Sequence, residues 1–77
     1  MNPGDIEQIL EQVATGAITP RKGVAHLVAG GFVEGDAEET VLFARGGSDI
    51  VEIGEDGRER YHGSGRLVSE VEAEMAK

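Results

Sequence analysis

The sequence predicts an α+β fold: an N-terminal helical hairpin, a short antiparallel β-meander and a C-terminal helix. Three observations carry that reading. Ile6, Ile9, Leu10 and Val13 recur at helical spacing, and so do Leu67, Val68, Val71 and Met75 near the other end. Two segments, each opened by Pro and closed by Gly, follow one another across the short link Gly16–Thr19. Between them and the last helix, β-branched and aromatic runs alternate with glycine pairs and an Asp56-Gly57 turn.

The first helix is expected over residues 3–15. Asn2 can cap it, Pro3 suits its first position, and Asp5 sits where the helix dipole favours an acid. Gly16 supplies the left-handed stop. A second helix follows from the Thr19 cap and Pro20 to Gly30-Gly31, with Val24, Leu27 and Val28 as its apolar face. Gly23 weakens its middle by about 1 kcal/mol relative to Ala, or permits a close backbone approach. Ile18 should pin the corner, and Phe32-Val33 should lead out as an apolar anchor.

Residues 37–45 read two ways. Val41-Leu42-Phe43 has strand propensity, and Gly46-Gly47 suits a hairpin turn. Asp36 with Glu39 resembles a capping box, however, and Arg45 before Gly46 suits a helix end. The strand reading is favoured because a strand pair follows: Ile50–Ile53, the Asp56-Gly57 turn, then Arg58–His62. The last helix is expected over about 65–76, with Ser64 as its cap. The whole is one domain, divided into a hairpin (1–33), a meander (34–63) and a C-terminal helix (64–77).

Seventy-seven residues bound what the chain can do. A domain of this size buries only roughly 60% of its unfolded surface, which leaves little room for a deep substrate cavity. Cysteine is absent and there are two histidines, so neither disulfides nor a structural zinc site is expected. Fifteen acidic residues against seven basic ones give a net charge of −8. Such a field repels nucleic acid and anionic lipid at long range and favours basic partners. The segment Met1–Asp5 has no basic region, and the apolar run Val41–Ala44 is far too short to span a bilayer.

The residues with chemical potential do not form a catalytic pattern. Ser48, Ser64 and Ser69 lack a nucleophile elbow, and Ser64 near His62 reads as a turn serine beside a surface histidine. His26 has no acidic or histidine neighbour one helical turn away. Glu52, Glu55, Asp56 and Glu59 read as a solvated hairpin tip rather than a calcium loop. Gly63-Ser64-Gly65 reads as a hinge, since it lacks the residues of a phosphate-binding loop. Two helices and a hairpin are also the order of a winged helix-turn-helix. Arg21, Lys22 and His26 would then form its basic patch, with Arg58 and Arg60 on the wing. The acidic excess, with Asp36, Glu38 and Glu39 close behind that patch, argues against DNA.

The stretch Ile9-Leu10-Glu11-Gln12-Val13-Ala14-Thr15-Gly16-Ala17-Ile18-Thr19-Pro20 resembles the SHOCT-like short helical hairpin of bacterial proteins. That pattern has an apolar first helix, then Gly-x-Ile-Thr, then a second helix carrying Leu. The same corner looks like the helical tail of tailed-phage portal proteins. The resemblance covers residues 6–30, and both families imply an interaction or assembly role.

The expected function is that of a small acidic, non-enzymatic assembly or interaction protein without a cofactor, in its most specific form a structural component of a phage particle. Its partner would be another protein or a second copy, with no membrane involved. Its location would be the bacterial cytosol or a virion. The contact residues expected are Phe32, Val33, Leu67, Val68, Val71 and Met75, with Arg21 and Lys22 meeting an acidic neighbour. The alternative is an acidic regulator or inhibitor that covers a basic, nucleic-acid-binding surface with Asp36, Glu38, Glu39, Glu52, Glu55 and Asp56.

Overall fold

The computed structural model describes residues 1–76, so residue 77, the end of the expected C-terminal segment, lies outside the described residues. Helix α1 (Pro3–Thr15) begins as its sequence dictates: the Asn2 side chain accepts the Asp5 amide at 3.3 Å, and Gly16 ends the helix at φ +83°. Helix α2 (Pro20–Ala29) has the same grammar, with the Thr19 hydroxyl accepting the Lys22 amide at 3.2 Å. Between them the Ile18 amide donates to the Gln12 carbonyl at 3.3 Å, and the Ile18 side chain packs against the core. The expected helical hairpin is therefore present.

The expected third strand is instead part of a helix, α3 (Glu34–Gly46). Ala37 and Val41 are fully buried and Ala44 packs beside them, at i, i+4 and i+7. That spacing brings one face against Val13 of α1 and Leu27 of α2. A strand would have sent neighbouring side chains to opposite faces and lost this contact. Gly47 is the left-handed helix cap at φ +85°, not a hairpin turn. Asp36 lies inside the first turn rather than at the cap, which is Val33.

The sheet is accordingly a two-stranded hairpin, β1 (Val51–Ile53) and β2 (Glu59–Tyr61). It is antiparallel, pairing Val51 with Tyr61, Glu52 with Arg60 and Ile53 with Glu59. Helix α4 (Val68–Met75) starts later than expected. Ser64 does not cap it: its hydroxyl donates to the Gly46 carbonyl and accepts the Arg66 amide. An isolated bridge between Arg60 and Leu67 keeps the chain extended up to the helix start.

The core forms where three helices meet. Val13, Leu27, Ala37 and Val41 are buried at its centre, with Ile6, Ile9, Leu10, Phe32 and Met75 packed around them. Each fully buried Val or Leu contributes about 1.5–3 kcal/mol. Gly23 makes the packing possible: a β-carbon there would lie 2.5 Å from Val13 Cγ2. Helix α4 and β2 add Val71 and Tyr61, both almost wholly buried. Arg45, at the end of α3, locks three helices together: its Nε donates to Glu74 at 2.6 Å and its Nη1 to the Ala14 carbonyl at 3.1 Å.

Candidate interaction surfaces

Helix α2 is apolar on two sides. Pro20, Gly23 and Leu27 form the buried line. Val24, Ala25, Val28 and Ala29 form a second stripe beside it, and Val28 is 41% exposed. This second stripe is one wall of an open groove of about 920 Å³. Glu34 and Glu38 of α3 and Glu72, Met75 and Ala76 from α4 and its cap form the facing walls. A shallower depression continues past Glu38 and Glu72 to Glu39 and Leu42. The groove thus has an aliphatic wall and a rim of carboxylates, and among the described residues Arg21 is the basic one that lines it.

The residues expected to make contacts are distributed unevenly over this surface. Val33 is 70% exposed at the cap of α3. Arg21 and Met75 line the groove, whereas Lys22 is exposed outside it. Phe32 is half-buried and packs on the core. The C-terminal stripe turns inward: Val71 is buried, Met75 also touches the core, and Leu67 and Val68 are half-buried. Three residues that frame the groove, Glu34, Glu72 and Ala25, were not singled out from the sequence. For Ala25 the signal is the i, i+1, i+4, i+5 spacing of Val24, Ala25, Val28 and Ala29, which widens the apolar arc of α2 beyond one face. Glu34 and Glu72 belong to other helices and carry no such signal.

The six expected acidic contacts do not make one face. Asp36, Glu38 and Glu39 belong to the first half of α3, and Glu52, Glu55 and Asp56 to the hairpin. Glu38 is about 12 Å along the helix from Gly46, where α3 meets Tyr61. Within the hairpin, Asp56 accepts the Arg58 amide at 3.1 Å and pairs with Arg60 at 3.0 Å. The Arg58 backbone hydrogen bond, then the Arg60 side chain, holds its carboxyl below the usual carboxylate range. His62 Nδ1 lies 3.1 Å from a Glu52 oxygen. All three residues of β1 are exposed, with Ile53 at 67% and the adjoining Ile50 at 58%.

Among the described residues, no three His, Asp or Glu side chains gather as a metal site would require, and no helix is long and apolar enough to cross a membrane. Comparison with protein families, with curated proteins and with solved structures gives no match.

Proposed function

We propose that this chain is a small, acidic, non-enzymatic interaction protein that docks another protein, or another copy of itself, in the groove between α2, α3 and α4. The observation that carries this reading is the second stripe of α2. A helix in so small a domain exposes aliphatic side chains beside a shaped hollow, the arrangement by which grooves take a partner's apolar face. The most specific form of the proposal, a structural component of a phage particle, rests on the resemblance of residues 6–30 alone.

A photo-crosslinking residue in place of Val28 tests it. Adducts with one defined protein, foreign or self, and none from the same residue at Glu7 on α1, are the expected result. Light scattering on the crosslinked and free protein separates a foreign partner from a second copy. No adduct from position 28 would remove the proposal's basis.

The second reading, an acidic regulator of a basic surface, is favoured by the hairpin. Asp49, Glu52, Glu55 and Asp56 stand exposed in a stretch without a basic residue. Binding through it would weaken steeply with salt, whereas binding in the groove would not. DNA reading is opposed by α3, the helix next to the hairpin. It carries Glu34, Asp36, Glu38 and Glu39 against Arg45 alone, the wrong sign for phosphates.

A further inference from the structure

Strand β1 has one edge paired and one edge open. His62 donates its amide to the Ile50 carbonyl, and Gly54 donates to the Arg58 carbonyl, each at 2.8 Å. Antiparallel ladders alternate, so on β1 the residues turned toward β2 are Ile50, Glu52 and Gly54. Val51 and Ile53 therefore direct their amide and carbonyl groups away from the hairpin. Natural edges are blunted by shortness, charged side chains, proline or a bulge. Strand β1 is short, with Glu52 as its one charge, and among the described residues it carries no lysine, proline or bulge. The side chains around the edge, Ile50, Val51 and Ile53, are 58%, 40% and 67% exposed.

The charge around this edge selects its occupant. Asp56 pairs with Arg60 at 3.0 Å and Glu52 lies 3.1 Å from His62, yet residues 49–62 still hold five acids, Asp49, Glu52, Glu55, Asp56 and Glu59, against two arginines, Arg58 and Arg60. We propose that β1 accepts an extended segment of a partner protein as a third strand, and that this segment alternates aliphatic residues with Lys or Arg. Its backbone pairs with Val51 and Ile53. Its aliphatic side chains lie beside those of Val51 and Ile53 on one face, and its basic side chains reach Glu52 on the other. A second copy fits less well: it would bring one acidic hairpin against another, and in the two-fold register that pairs Val51 with Ile53 it sets Glu52 directly opposite itself, where like charges are destabilising. This surface goes beyond the α2 groove and is independent of it.

The probe is a blocked heptapeptide of alternating Lys and Val, added to the isotopically labelled protein while amide hydrogen exchange is followed by NMR. Exchange at Val51 and Ile53 should slow about tenfold or more, with Glu52 little changed. The peptide with Glu in place of Lys should give no protection. Ile53→Pro removes an outward amide without deleting a bond to β2, so it should abolish the protection at Val51. Should that variant disturb the hairpin, a peptide N-methylated at alternate residues, which keeps its charge but cannot pair, supplies the same comparison and should also give none. Val28→Glu, in the α2 groove, should leave the protection intact, which separates this inference from the proposed function. Three outcomes overturn it: unprotected amides in excess peptide, equal binding of the N-methylated peptide, or protection of the peptide-free protein that grows with its own concentration. The second would mean attraction by charge alone, and the third that a second copy covers the edge.

Discussion

The ring of Tyr61 lies directly against the α-carbon of Gly46: a β-carbon built there would sit 2.5 Å from Cδ2 and 2.6 Å from Cε2. This contact seats the hairpin on the helices, because Tyr61 is 1% exposed and Gly46 is the last residue of α3. Two effects compete on Gly46→Ala. Helix propensity favours alanine by up to about 1 kcal/mol. Forcing a methyl group into the body of a buried ring costs about 1–3 kcal/mol. The clash should win, since the ring cannot swing aside as the end of a flexible chain would. Denaturant unfolding should show a net loss of about 1–2 kcal/mol.

Gly23 and Val13 form a similar pair between α2 and α1, at 2.5 Å from a built β-carbon to Val13 Cγ2. Valine is stiff at χ1 in a helix, so its methyl cannot rotate away. Gly23→Ala alone should destabilise by about 1–2 kcal/mol, the clash outweighing the gain in helix propensity. Val13→Ala alone should cost about 1.5–3 kcal/mol, as a buried valine does. The double variant should cost less than the sum, by about 0.5–2 kcal/mol, because the new methyl fills part of the space the old one left. Additive losses in the double-mutant cycle would mean that the two helices do not meet at this point.

Local grammar made α1 and α2 legible in the sequence. Asn2, Pro3, Gly16, Thr19 and Pro20 act within their own helix ends, and each does what its chemistry requires. Helix α3 was not legible in this way, because what decides it is remote in sequence. Val41-Leu42-Phe43 reads locally as a strand, yet Ala37 and Val41 fit between Val13 and Leu27 only at helical spacing. Propensity is a weak prior that tertiary packing overrides. The same reason explains the start of α4, where the Ser64 hydroxyl is taken by Gly46, eighteen residues away. For the interaction surfaces, Arg21 and Met75 were reached from sequence, while the inward turn of Val71 depends on α4 packing across α3.

Arg45 links the ends of α1, α3 and α4 through one planar group. Its side chain is 21% exposed and that of Glu74 36%, so screening reduces the pair's worth. The Ala14 carbonyl is among the last of α1 and needs a donor. Arg45→Lys keeps the charge but cannot serve both partners with one fork. It should cost about 0.5–1.5 kcal/mol in thermal or chemical unfolding. The loss should persist in high salt, because the carbonyl bond does not depend on ionic attraction.

Tyr61 also sets an alkaline limit on the fold. Burial, and then the charge of Glu72, push its phenol above the ordinary value of about 10. The folded state therefore holds the proton more tightly than the unfolded state does. Its contribution to stability is complete below the unfolded value and is lost as pH rises through the folded one. The midpoint of chemical unfolding should be insensitive to this group at neutral pH and fall from about pH 10 upward. Because Tyr61 is the chain's single tyrosine, phenolate absorbance reports it without ambiguity. Tyr61→Phe keeps the ring against Gly46 and removes the proton, so it should flatten the alkaline fall. An equally steep loss in that variant would place the alkaline limit elsewhere in the chain.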